Sequence, residues 1–199
     1  KIFAMHREEV DGLLGPFSRH RMEITPKAVE DAMKELHDLE KKGIMYIGYT
    51  DEDYPPLLKE CEDAPIGIYV RSESPAWSLW KQERSIAVVG TRDISPYGSE
   101  WCHKIIRALS ESGSAPLIIS GLALGTDIIA HETALEYGLP TIAVMATGPE
   151  SVYPYRHTSV AERIAKTPGC ALITDYPPGT APLALHFLRR NRIIAGAAH

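Results

Sequence analysis

No run in this sequence approaches the ~20 consecutive apolar residues that a membrane-spanning helix requires, and its first residues, KIFAMHREEV, lack the long apolar core and cleavage site of a secretory signal. These absences predict a cytoplasmic protein with no membrane partner. Cysteine is scarce. Cys61, Cys102 and Cys170 are scattered singly without paired metal-ligand spacing, and an odd count argues against a disulfide framework. They read as reduced structural thiols. Also missing are GxGxxG, GxxxxGK[ST], an HExxH pattern among the eight histidines, and any serine in a GxSxG elbow. Motifs therefore point to no dinucleotide, ATP, zinc or nucleophilic-serine chemistry, and neither cofactor nor metal is expected.

What is present suits a globular chain: 199 residues, 44% hydrophobic and 24% charged, enough for a sizeable core with one domain and a small attachment. The net charge of −5 is unevenly placed. Residues 1–84 hold 12 Lys+Arg against 17 Asp+Glu, whereas residues 85–199 hold 9 of each. In the neutral second part, Arg189, Arg190 and Arg192 follow one another in HFLRRNRIIAGAAH with no acid nearby, which predicts a local basic patch.

The pattern changes where the charge does. TPKAVEDAMKELHDLEKKG reads as a helix with Thr25 as N-cap, Pro26 at the first helical position, Val29, Met33, Leu36 and Leu39 at helical spacing, and Gly43 as stop. HREEVDGLLG reads as the end of an earlier helix, the two forming a hairpin. Next, IMYIGY and IGIYV are strand-like runs flanking DYPPLLKECEDAP, a turn or single helical turn. We divide the chain into a helical accessory region over residues 1–42, an extension over 43–84 and a core domain over 85–199. Trp77 and Trp80, at the last boundary, read as packing between the parts.

From Ser85 onward one unit recurs. The apolar runs SIAVVG, APLIISG, TIAVMATG and CALITDY are each followed by a helix-compatible stretch, ending with HFLRRNRIIAG. Four βα units in series, with strands nearly all apolar, predict an α/β fold: a Rossmann-like doubly wound, mostly parallel sheet covered on both faces. Ligands of such sheets sit beyond the carboxyl ends of the strands. The turns there read Gly90-Thr91-Arg92, then Ser120-Gly121-Leu122-Ala123-Leu124-Gly125-Thr126-Asp127, then Ala146-Thr147-Gly148-Pro149. Glycine permits close backbone approach, hydroxyls donate hydrogen bonds, and helix N-termini favour anions, so three such turns on one edge predict an anion pocket. Taken singly, each glycine is equally explained by the closing of a tight turn. Asp127 and His131, four apart on one helix face without a third partner, read as bracing that helix rather than as a metal or proton site.

SIAVVGTRDISPYG, SGLALGTDIIAHETAL, TIAVMATGPESVYP, ITDYPPGTAP and FLRRNRIIAG, in this order and spacing, resemble the DNA processing protein A (DprA, or Smf) family, over roughly Gly43 to Gly196. The resemblance implies a bacterial protein that binds single-stranded DNA, protects incoming DNA in natural transformation, loads the recombinase RecA, and acts as a homodimer without known catalysis. It implies DNA-binding roles for Gly90, Thr91 and Arg92 and for Arg190, Asn191 and Arg192, to which the anion-pocket reading of the turns adds Ser120, Gly121, Gly125, Thr147 and Gly148. Arginine suits this role, since its planar fork pairs with phosphate and stacks on unpaired bases. Tyr153, Tyr155, Tyr176 and Phe187 are candidate stacking platforms or half-buried packing residues.

Two departures bear on the site. Where the family usually reads SGxARGID this chain has SGLALGTD, with Leu124 in place of a basic residue, and downstream Tyr155-Arg156-His157 replaces a Lys/Arg-Glu-Asn-like run. Arg156 is expected to restore part of the lost charge. The family also continues past the point equivalent to His199, so part of the fold is expected to lie beyond this sequence. Two rival readings stand beside this one. An enzyme like the lysine-decarboxylase-like phosphoribohydrolases would need PGGxGTxxE, whereas Pro177-Pro178-Gly179-Thr180 lacks the second glycine and a following glutamate. A scaffold recruiting partners through the acidic helices would keep the pocket but ignore DNA.

Overall fold

The computed structural model describes residues 5–15 and 24–199. The chain divides into two compact units, Lys1–Lys42 and Gly43–His199. In the first, α2 (Pro26–Glu40) forms where its capping Thr25 predicts, and α1 (Arg7–Leu14) covers the stretch expected as the end of a helix. Thr25 accepts the Ala28 N–H at 3.1 Å, and the Glu9 carboxylate accepts the His6 N–H at 2.8 Å. Gly43 takes φ +73°, a left-handed conformation open to glycine, just past the helix. Of the expected apolar stripe on α2 only Leu39 is buried, while Val29 and Met33 are exposed, as are Leu13 and Leu14 on α1. A unit this small has little interior to offer a four-turn helix. The turn of the expected hairpin falls on residues 16–23, outside the described residues.

The second unit is built on a six-stranded sheet in the order β1-β2-β6-β5-β4-β3. Strands β1 (Ile44–Gly48) and β2 (Gly67–Arg71) pair antiparallel around α3 (Pro56–Lys59), and β2 joins β6 antiparallel. The stretch expected as an extension thus supplies two strands of the core sheet. The remaining four, β3 (Ser85–Ala87), β4 (Leu117–Ser120), β5 (Thr141–Val144) and β6 (Ala171–Thr174), are parallel neighbours in chain order. Each leads into a helix: α4 (Pro96–Glu111), α5 (Thr126–Glu136), α6 (Thr158–Lys166) and α7 (Ala184–Gly196).

Because β3 to β6 step across the sheet in one direction, right-handed crossovers put α4, α5 and α6 on the same face. Side-chain alternation along the strands agrees. Ile118 meets Cys102 and Ile106 of α4 and Ala130 and Ala134 of α5, while Ala143 and Leu172 meet Val160, Ala161 and Ile164 of α6. The opposite face, with Ile119, Ile142, Val144, Ala171 and Ile173, is covered by Leu58 of α3 and by Ile193, Ile194 and Ala197 around the end of α7. With both faces covered, every residue of β4, β5 and β6 is buried. The fold is the expected α/β sheet with helices on both faces.

Trp80 packs against this core. Trp77 does not: it is exposed, with the Lys81 Nζ 3.8 Å from its ring centroid, in a 3₁₀ turn (Ala76–Ser78) that buries Ala76 instead. All three cysteines are free thiols.

Candidate functional site

The turns after β3 and β4 are packed against one another. The Thr91 carbonyl accepts the Thr126 N–H at 3.1 Å and the Thr126 hydroxyl at 3.3 Å, so protein backbone occupies a free donor at the start of α5. A Cβ on Gly90 would lie 2.8 Å from the Thr126 Cβ, and one on Gly125, which has φ +75°, would lie 2.8 Å from the Arg92 carbonyl oxygen. Glycine at 90 and 125 is therefore dictated by turn-on-turn packing. The Thr91 hydroxyl accepts the Asp93 N–H at 3.1 Å, which bends the chain so that Thr91 and Arg92 are exposed.

Other expected hydroxyl and glycine contacts turn inward. Ser120 donates to the Val88 carbonyl at 2.6 Å, Thr147 donates to the Ser151 carbonyl at 2.6 Å, and the Gly148 N–H bonds the Thr180 carbonyl at 3.0 Å. All three residues are buried, so none reaches the open sheet edge. Leu122, a buried non-glycine residue at φ +60°, is held in the left-handed region where its carbonyl accepts His157 Nδ1 at 2.8 Å.

The arginines of α7 diverge. Arg190 is 3% exposed and donates through Nη1 to the Gly121 carbonyl at 2.5 Å and to the Val144 carbonyl, while its Nε donates to Asn191 Oδ1 at 3.2 Å. Arg192, two positions on and so on another side of the helix, pairs with the Asp175 carboxylate and donates to the Asp63 carbonyl. Neither is the open phosphate contact that the RNR pattern suggested. The sequence held a signal for Arg190: with Ile193, Ile194 and Ala197 it lies at i, i+3, i+4 and i+7, the buried face of the helix.

One cleft of about 110 Å³ gathers what remains: Gly90 and Arg92 from the β3 turn, Phe187, Arg190 and Asn191 from α7, and Asp127 and Ala123 beneath, with Val89 and Leu188 at its walls. Arg92 is exposed, and its guanidinium carbon lies 5.2 Å from the Phe187 ring centroid. Phe187 in turn meets Tyr153 edge-on at 5.6 Å, and Tyr153 is half exposed. Tyr155 is 84% exposed and Arg156, beside it on the same 3₁₀ turn, is exposed too. Tyr176 stacks on His186 at 4.3 Å and is only partly exposed.

Burial governs the electrostatics of the cleft floor. It pushes the Asp127 carboxyl upward against the opposing pull of Arg190, and brings Arg190 down to about 10 against the support of Asp127. Each group thus opposes the effect of burial on the other, the guanidinium favouring the carboxylate and the carboxylate favouring the guanidinium. Beneath them His131 is fully buried and bonded to the Thr141 hydroxyl at 2.8 Å, and burial lowers its pKa to about 3. The expected bracing of α5 holds in part: Asp127 accepts the Ala123 N–H at 3.4 Å, but its charge partner comes from α7. The cleft therefore offers the Arg92 guanidinium beside the Phe187 ring over a floor that holds Asp127 and Arg190, an arrangement that can pair with a phosphate and stack a planar group.

A family model, DNA recombination-mediator protein A, matches residues 45–199. Protein Smf of Escherichia coli is 37% identical over 158 residues, covering 79% of this chain and 40% of its own length. DNA processing protein DprA of Streptococcus pneumoniae is 37% identical over 146 residues, covering 73% of this chain and 49% of its own length. The chain spans between 39% and 50% of the curated relatives it matches. Among solved structures, DNA processing protein A from Streptococcus pneumoniae superposes with a TM-score of 0.77 at 30% identity, over 98% of this chain and 64% of that one. DNA processing protein A from Helicobacter pylori, whose structure concerns its single-stranded DNA binding mode, gives 0.65 at 29% identity, over 77% and 66%.

Proposed function

The chain belongs to the DNA recombination-mediator protein A family, and we propose that it binds single-stranded DNA in the cleft between the Gly90 turn and α7. The observation that carries this reading is the Arg92 guanidinium beside the Phe187 ring at the mouth of that cleft. Arg92 pairs with a phosphate oxygen through its planar fork, and the phosphate's counterion is released. Phe187, backed by Tyr153, stacks an unpaired base, which a duplex cannot present without unstacking. Asn191 offers its exposed amide alongside. Backbone and base faces are common to every sequence, so one strand is bound much like another.

Arg156 supplies the charge that Leu124 lacks. Its turn is anchored through His157 to the Leu122 carbonyl, two residues from Leu124. In this reading the protein serves DNA processing during transformation as a binding protein: it covers the incoming strand, hands it to the recombinase RecA and works as a homodimer. Support for these wider roles comes from the family alone.

The test is anisotropy of a labelled oligothymidine against its duplex, titrated at two salt concentrations with the protein and with Arg92→Ala. Salt-sensitive binding that prefers the single strand and weakens in the variant agrees with the reading. Equal affinity for duplex, or an unaffected variant, overturns it.

A further inference from the structure

We propose that Arg190 is a positioning residue, which touches no phosphate but locks α7 onto the turns after β4 and β5 and so holds Phe187 against Arg92. This inference rests on the single-strand reading for its functional consequence, not for its geometry.

The guanidinium of Arg190 is enclosed. Its donors reach the carbonyls of Gly121, just past β4, and of Val144, the last residue of β5, and its Nε reaches Asn191 on its own helix. It lies so close over Gly121 that a Cβ there would come within 2.5 Å of the guanidinium carbon. Asp127 is buried too, and its carboxyl favours the charged form of the guanidinium. Five donors in a rigid plane suit an arginine to reaching two backbone carbonyls and the Asn191 amide oxygen at once, a fixed fork that the ammonium of lysine does not offer. Phe187 stands three residues before Arg190, on the neighbouring position of the same helix face, so whatever fixes Arg190 fixes the ring. Arg192 holds the other side of the helix through Asp175 and the Asp63 carbonyl. The cleft is thus bounded on one side by the Gly90 turn and on the other by a helix pinned from two directions.

A direct phosphate contact and a positioning role predict different results. Removing one cation that pairs with a phosphate of a single strand lowers the slope of log affinity against log salt by about 0.7. Two variants separate the roles: Arg190→Lys keeps the charge and loses the fork, and Gly121→Ala keeps every charge and displaces the guanidinium. Each is first shown by its melting transition to be folded. The first readout needs no DNA: the ring-current shift that Phe187 imposes on the Arg92 side-chain N–H resonance. Positioning predicts that this shift is lost in both variants, whereas a merely stabilising residue leaves it in place. The second readout is oligothymidine affinity across a range of salt. Positioning predicts about tenfold or greater weakening in both variants with the slope unchanged, while Arg92→Ala lowers the slope. Should Arg190→Lys keep the ring-current shift, or retain near-normal affinity, or lower the slope, the proposal is wrong. If only one variant folds, that one decides. If the unsubstituted protein does not bind oligothymidine, the DNA reading fails, and the ring-current shift still decides the role of Arg190.

Discussion

Gly90→Ala separates two explanations of the glycines in these turns, backbone approach to a ligand and close packing of the protein on itself. Gly90 is not among the glycines with positive φ, so alanine meets no backbone strain there, and its cost is steric. The new Cβ would lie 2.8 Å from the Thr126 Cβ and 2.9 Å from its Cγ2, and closer still to its hydroxyl oxygen. These neighbours belong to the first turn of a helix, not to the far end of a flexible side chain. Overpacking of this kind costs about 1–3 kcal/mol, which for a chain of this size lowers the melting temperature by roughly 2–12 °C. Thr126→Ala removes two of the three colliding atoms, so in the double variant part of the loss should return, with an interaction of about 0.5 kcal/mol or more. Calorimetric melting of the four proteins measures this directly. An unchanged melting temperature in Gly90→Ala, or strictly additive effects in the double variant, would refute the packing argument and return Gly90 to ligand approach.

Other outcomes follow from the same structure. Phe187→Ala removes a stacking platform and should weaken single-strand binding by about 1–3 kcal/mol, roughly 5- to 150-fold, in the anisotropy assay. Arg156→Ala should lower the salt slope of that binding by about 0.7 if its charge replaces the one missing at Leu124, and an unchanged slope removes the residue from the site. Ile142→Ala, at a fully buried position between two covered faces, should cost about 2–5 kcal/mol in chemical denaturation. His131 stays neutral in the fold down to about pH 3, against 6.5 ordinarily, so on acidification the unfolded chain takes up a proton that the folded chain refuses. Its contribution to stability is complete above pH 6.5 and falls by about 1.4 kcal/mol per unit below it. Denaturation at pH 7 and pH 5 should show that fall, and His131→Gln should reduce the slope by one proton.

How far the sequence could be read is clearest along the β3 to β6 half. Strands buried on both faces are nearly all apolar, and each such run is followed by a helix-compatible stretch, so their positions and the parallel sheet followed from that series. The start of α2 was legible from its capping Thr25, whereas the start of α4 was not read from the sequence although Ser95 caps it, accepting the Gly98 N–H at 3.1 Å. Polar turn residues were not legible, because the same Ser, Thr and Gly serve both ligand contact and turn packing. Thr147 and Ser120 bond carbonyls of their own chain, and nothing local distinguishes that from donating to a phosphate. The arginines of α7 were half legible. Helical period places Arg190 among Ile193, Ile194 and Ala197, but the Asp175 partner of Arg192 comes from the end of β6, at a distance only the fold reveals. Phe187 was identifiable as a candidate ring, whereas its meeting with Arg92 depends on the α7 placement that Arg190 secures.

Photo-crosslinking tests the central claim most directly. An iodouracil-substituted single strand is bound to the protein, irradiated, and the attached peptides are identified by mass spectrometry. Stacking in the cleft predicts attachment at Phe187 or Tyr153, abolished by Arg92→Ala. Attachment confined to the N-terminal helices, or to the exposed Tyr97 and Trp101 of α4, would contradict it and move the DNA to another face of the molecule.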